Sequence, residues 1–105
     1  KKFTKDDATK MKRYISLYLE VAPKTFEEMQ RNLNHADWEQ LRINAHSLKP
    51  QADFMGINSL KEALIKIEEA VKANNLEGIE KLLYNAHALA TDSEVILKGL
   101  LEERF

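Results

Sequence analysis

Between Leu41 and Gly56 the apolar residues recur at steps of four, three, four and three: Leu41, Ala45, Leu48, Ala52 and Met55. An α-helix turns about 100° per residue, so these five side chains share one arc, the mark of a helix that buries one face in a bundle. The same period returns along the rest of the chain, and no strand-like alternation competes with it. Three glycines and two prolines in 105 residues leave few places to turn. Few, long helices follow. The expected fold is all-α: an antiparallel up-down four-helix bundle with a short additional N-terminal helix, one domain over residues 1–105.

Taken in order, Thr4 and Asp7 read as a capping box ahead of Ala8, Met11, Ile15, Tyr18 and Ala22. Pro23 is expected to end this first helix and open the next, which turns Phe26, Met29 and Leu33 inward. Asn34 and His35 close it. Asp37 is the expected N-cap of the central helix, with Gln40 three residues on, and the helix runs from Trp38 to about Met55. Gly56 supplies the left-handed residue that ends it. Ser59 and Glu62 read as another capping box, before Leu60, Ala63, Leu64, Ile67 and Val71; Asn74 and Asn75 break that helix. The last helix is expected from about Leu76 to near Glu103, with Ile79, Leu82, Ala86, Leu89, Ser93, Ile96 and Leu100 as its seam. Connections of two to four residues make sequential helices antiparallel neighbours.

His46 lies off the central seam, toward solvent. Arg42, Lys49 and Asp53 flank it on one side, and Ile43, Pro50 and Phe54 on the other. A helix that buries a clean seam and holds out an imidazole beside two cations is a candidate reactive-histidine site. Pro50 removes the hydrogen bond to the carbonyl of His46, four residues back, so a kink is expected at the candidate residue.

The stretch A-H-S-L-K-P-Q-A-D-F-M-G, followed by L-K-E-A-L-I-K-I-E, resembles the histidine-containing phosphotransfer domains of bacterial phosphorelays. The signature of that family is Ala-His-x-Leu-Lys-Gly, with a second glycine ten residues after the histidine and a Leu/Ile-rich helix next. Ala45, His46, Leu48, Lys49 and Gly56 match in place; Pro50 stands where the family usually has glycine. The helix order extends the resemblance over nearly the whole chain. It implies that His46 carries a phosphoryl group exchanged with the aspartates of receiver domains, and that Lys49 meets the phosphoryl oxygens. Arg42 is a further candidate for that role, and Lys72 on the next helix another.

An imidazole suits such a carrier, because its pKa of about 6.5 leaves a large neutral, nucleophilic fraction near neutral pH. No acid–base partner or Mg²⁺ cage stands beside His46 in the sequence. The expectation is a phosphocarrier and not an enzyme, with no cofactor of its own and the Mg²⁺ in the partner. Response-regulator receiver domains and a hybrid sensor kinase are the implied partners. Ile43, Pro50 and Phe54, extended by Ile65, form either a docking floor for a receiver or, if the first helix covers them, ordinary core. The competing reading of the whole chain is a non-catalytic helical interaction module in which His46 is incidental. Autokinase activity is disfavoured, since no Gly-rich phosphate loop is present.

Composition narrows the partners. Sixteen basic against seventeen acidic residues give a net charge of −1, which offers nothing to nucleic acid. No cysteine is present, in keeping with a reducing compartment. No apolar run approaches the roughly 18 residues of a membrane span, so a cytoplasmic, membrane-free protein is expected. A monomer is expected because the seam residues are fully used within one five-helix chain. No metal site is expected: the three histidines share no i,i+3 or i,i+4 pairing, and the residues three before them are Asn32, Ile43 and Tyr84. His35 reads as a turn residue and His87 as a structural one.

Overall fold

The computed structural model describes residues 5–104, with side chains over 8–103. Every element is helical: α1 (Lys5–Asn34), α2 (Trp38–Phe54), α3 (Asn58–Lys72) and α4 (Ile79–Arg104). Each helix packs on its neighbours in the order α1, α2, α3, α4 and back to α1, and the diagonal pairs stand further apart. Contacts run in opposite senses along each pair. Asn32 meets Asn44 while Tyr14 meets Phe54; His46 meets Glu68 while Asp53 meets Lys61. The bundle is therefore antiparallel throughout these seams. Its long axis is 47 Å, close to the roughly 45 Å that thirty residues of α-helix span.

The core takes one stripe from each helix. Ile15, Tyr18, Ala22, Phe26 and Met29 come from α1, and Leu41, Ala45, Leu48 and Ala52 from α2. Leu60, Leu64 and Ile67 come from α3, and Ile79, Leu83, Ala86 and Ala90 from α4. Asn44 is also buried: its amide donates to Asn32 Oδ1 at 2.8 Å and ties α2 to the end of α1.

The class of fold is the expected one, but among the described residues there is no separate N-terminal helix. The expected break at Pro23 does not occur, and α1 is one helix of 30 residues. Proline inside a helix costs about 3 kcal/mol, chiefly one lost hydrogen bond and a clash. Continuing the stripe buries Phe26 and Met29, each worth about 1.5–3 kcal/mol, which offsets that cost. The capping box of Thr4 and Asp7 lies outside the residues whose side chains are described.

Two of the expected helix starts and one expected seam differ. α3 begins at Asn58, so Ser59 is already inside the helix, and no side chain caps its N-terminus. α4 begins at Ile79 rather than Leu76, after Gly78 at φ +78°. Its seam runs through Leu83 and Ala90, with Leu97 partly buried, while Ile96 is 71% exposed. The reason is the length of α3. Ser59, near its start, lines the same cleft as Leu89, so Ile96, two turns further along α4, has no α3 side chain to cover it.

The first three helices end alike, with a 6→1 and a 5→2 backbone hydrogen bond around a left-handed residue. Ile57 N–H donates to Ala52 and Gly56 N–H to Asp53, with Gly56 at φ +74°. Asn74 plays the same part at φ +53° for α3. At the end of α1 the residue is Ala36, at φ +55°. A Cβ there costs about 1–2 kcal/mol. Ala36→Gly should therefore raise unfolding stability by about 0.5–1 kcal/mol after glycine's own entropy is counted. Urea denaturation checks this; an unchanged or lower midpoint would refute it.

Candidate functional site

α2 is pinned on two sides. Asn44 and the aromatic pair Tyr14–Phe54, with ring centroids 4.5 Å apart, hold it to α1. Ala45 and Ala52, both fully buried, let α3 approach closely. With that face buried, His46 must stand outward, and its side chain is 66% exposed. The Asp37 carboxylate accepts from Gln40 N–H at 3.3 Å and caps the helix start. α2 then runs unbroken through Pro50 to Phe54, so the carbonyl deprived of its intrahelical donor is that of His46.

Across the seam, α3 brings Glu68 to the imidazole. Glu68 Oε2 is 2.9 Å from His46 Nδ1, and Oε1 is 2.6 Å from Lys49 Nζ. The glutamate side chain is only 4% exposed, against 25% for Lys49. The Lys49 ammonium sits close against Oε1, and its hydrogen bonding and its charge both favour the ionised carboxylate. Burial alone would push the Glu68 carboxyl up, yet Lys49 and His46 outweigh it and hold the group below its ordinary value. Among the described residues, His46 Nε2 makes no hydrogen bond.

The flanks of His46 differ in kind. Toward α3 lie Lys49, Arg42 and the Asp53–Lys61 ion pair at 3.0 Å. Arg42 is held by Glu39 through bonds of 2.9 and 2.7 Å. Lys72 stands exposed one turn beyond Glu68. Toward α1 lie Ile43, 42% exposed, and Phe54, 59% exposed. Beside Phe54 a groove of about 270 Å³ opens between the helices, lined by Tyr14, Leu17, Tyr18, Pro50, Gln51 and Met55. The first helix therefore touches this strip without covering it. Ile65 is half-buried on α3. Ile65 is four after Lys61 and three before Glu68, so it shares the α3 face that meets Asp53 and Lys49, across His46 from the strip.

The other histidines serve the fold. His35 Nδ1 reaches the Arg31 carbonyl at 2.8 Å, and His87 stacks on Phe26 with centroids 5.0 Å apart. Among the described residues no three potential ligands gather as a metal site, and no helix is long and apolar enough to cross a membrane.

The residue that sequence reasoning missed is Glu68. A signal was present: it falls four after Leu64 and eight after Leu60, on the buried side of α3, where a carboxylate needs a partner.

A four-helix bundle that holds out one histidine over a buried carboxylate and an ammonium is a histidine-bearing carrier domain in design. Comparison with protein families agrees: the profile described as "Hpt domain" matches residues 13–103, and the chain belongs to that family. Hpt domains are the histidine phosphotransfer modules of two-component phosphorelays, phosphocarriers that interact with receiver domains and kinases, and this is the role the family gives the chain. Comparison with curated proteins and with solved structures gave no match.

Glu68 also sets an acid dependence. Its folded-state carboxyl binds a proton more weakly than the ordinary value of 4.5. Its ionised pairs therefore contribute stability above that pH, and the contribution is lost as pH falls through the lower folded value. Acidification from about pH 5 to pH 3 should narrow the stability gap between the native protein and Glu68→Gln. Parallel stability curves in that window would contradict the assignment.

Proposed function

We propose that His46 takes a phosphoryl group from the aspartate of one receiver domain and hands it to the aspartate of another. The observation that carries this reading is an outward imidazole on a helix fixed from both sides, with an ammonium one turn on. The imidazole nitrogen attacks phosphorus, the P–O bond of the acyl phosphate breaks, and the electron pair leaves with the carboxylate. The reverse reaction is open, which suits a carrier. Lys49 meets the phosphoryl oxygens, and Arg42 adds to the same field. The Mg²⁺ and the acidic cluster are assigned to the receiver, and a hybrid sensor kinase to the head of the chain of transfers. The domain works as a cytoplasmic monomer.

Ile43, Pro50 and Phe54 form the docking floor. Its exposure supports this, as does the groove that continues it toward Tyr14 and Leu17.

Incubation with a phosphorylated receiver domain should label the protein with acid-labile, alkali-stable phosphate. His46→Gln should lose the label with its circular dichroism unchanged. A label that survives the substitution, or never forms on the native chain with any receiver tried, favours the interaction-module reading. Ile43→Glu and Phe54→Glu should each slow transfer about tenfold or more, the effect of removing roughly 1.4 kcal/mol from an interface. Both should leave the unfolding midpoint nearly unchanged; transfer at the native rate would remove the strip from the docking surface.

A further inference from the structure

We propose that the outward face of α4 from Tyr84 to Val95 is a docking seam for an amphipathic helix of another protein, apolar along one stripe and basic beside it. The seam stands apart from His46 and does not depend on the relay reading.

Among the described residues the exposed large apolar side chains fall into two groups. Tyr14, Leu17, Ile43 and Phe54 belong to the strip and groove beside His46. Tyr84, Val95 and Ile96 lie on α4. The short α3 accounts for Ile96. It does not account for Tyr84, 74% exposed, or Val95, 69% exposed. Both sit about 120–140° round the helix from Leu89, which faces α3.

Tyr84, Ala88, Thr91 and Val95 follow one another at steps of four, three and four. This is the period of the α2 seam, and at about 100° per residue the four share an arc. All four are exposed. On α2 the period is met by the rest of the bundle; on α4 nothing among the described residues covers it. A four-three repeat of this kind is what a facing helix reads, by setting its side chains into the gaps of the stripe.

One such gap is already shaped. Ala88 is the small residue in the middle of the stripe. With Tyr84, His87, Thr91 and Asp92 it lines a hollow of about 280 Å³. A branched or aromatic side chain of a facing helix fills a hollow of this kind. From Tyr84 to Val95 the seam runs roughly 16 Å, three turns of helix.

Charge selects the partner. Asp92 lies beside the stripe, four after Ala88 and three before Val95. It is exposed, and no ion pair among the described residues engages it. Glu94, three after Thr91 and half-buried, runs along the other edge. Lys98 comes only where the stripe ends. A facing helix with Lys or Arg beside its apolar stripe meets both acids. A second copy of α4 would bring the same two acids against them, like charge on like.

α4 stands diagonally across the bundle from α2, so this face points away from His46. A helix seated here leaves the imidazole open. The domain can then be tethered to one protein while another visits His46.

The test uses the full chain and two synthetic helical peptides of about 18 residues, roughly five turns. Both carry leucines at four-three spacing; one has lysines beside them and the other glutamates. Binding is read by fluorescence anisotropy, and the site by backbone amide chemical shifts. The lysine peptide should bind saturably below about 100 µM, and the glutamate peptide about tenfold more weakly or worse. The shifts should centre on residues 84–96 and spare those around His46. Ala88→Arg should abolish binding, with circular dichroism and the unfolding midpoint as in the native protein. Asp92→Lys should cut the preference for the lysine peptide by about tenfold. Equal binding of both peptides, binding of neither, or shifts centred on Ile43 to Phe54 would overturn the proposal. So would a sedimentation mass of two chains that falls to one in Ala88→Arg, which would give the face to a second copy.

Discussion

The buried carboxylate of Glu68 organises the site. A carboxylate taken out of water is costly unless both oxygens find partners. Here one oxygen faces a ring nitrogen and the other an ammonium, both presented by α2. The arrangement fixes the register of α2 against α3, since sliding either helix by one turn would strand the charge. It also lends rigidity to a side chain that otherwise projects into solvent. The fold and the candidate site share this one contact.

The packing makes the contact possible. Ala45 and Ala52 on the α2 seam have almost no side chain to hold the helices apart. A larger residue at Ala45 would lift α3 away and lengthen the reach from Glu68 to the ring. Leu41 and Leu48, both buried, fill the space toward the bundle centre. Small residues thus set the distance, and large ones the cohesion.

Much of this was legible in the chain. The four-three spacing from Leu41 to Met55 located the central helix, the outward side of His46 and the caps at Asp37 and Gly56. Local signals were enough there because one helix's period and its two ends are written in adjacent residues. Pro23 misled because the local penalty of proline is visible in sequence, while the burial of Phe26 and Met29 that offsets it depends on three other helices. Ile96 misled for a related reason: α4 carries two overlapping apolar stripes, and only the length of α3 decides where one of them loses its cover. Glu68 stayed hidden because its meaning lies across the seam, 22 residues from His46. The place of Ile65, on the α3 side of His46, was hidden by the same lack of a register.

In the proposed relay, the two unlike flanks of α2 have a consequence for encounters. Arg42 and Lys49 are paired with Glu39 and Glu68. The long-ranged attraction on that flank therefore rests chiefly on Lys72, and it fades with ionic strength over a Debye length of about 8–10 Å. Adhesion to Ile43, Phe54 and the groove beside Tyr14 is short-ranged and indifferent to dilute salt. Capture and seating are therefore separable by electrolyte alone. One governs how fast a visitor arrives, and the other how long it stays.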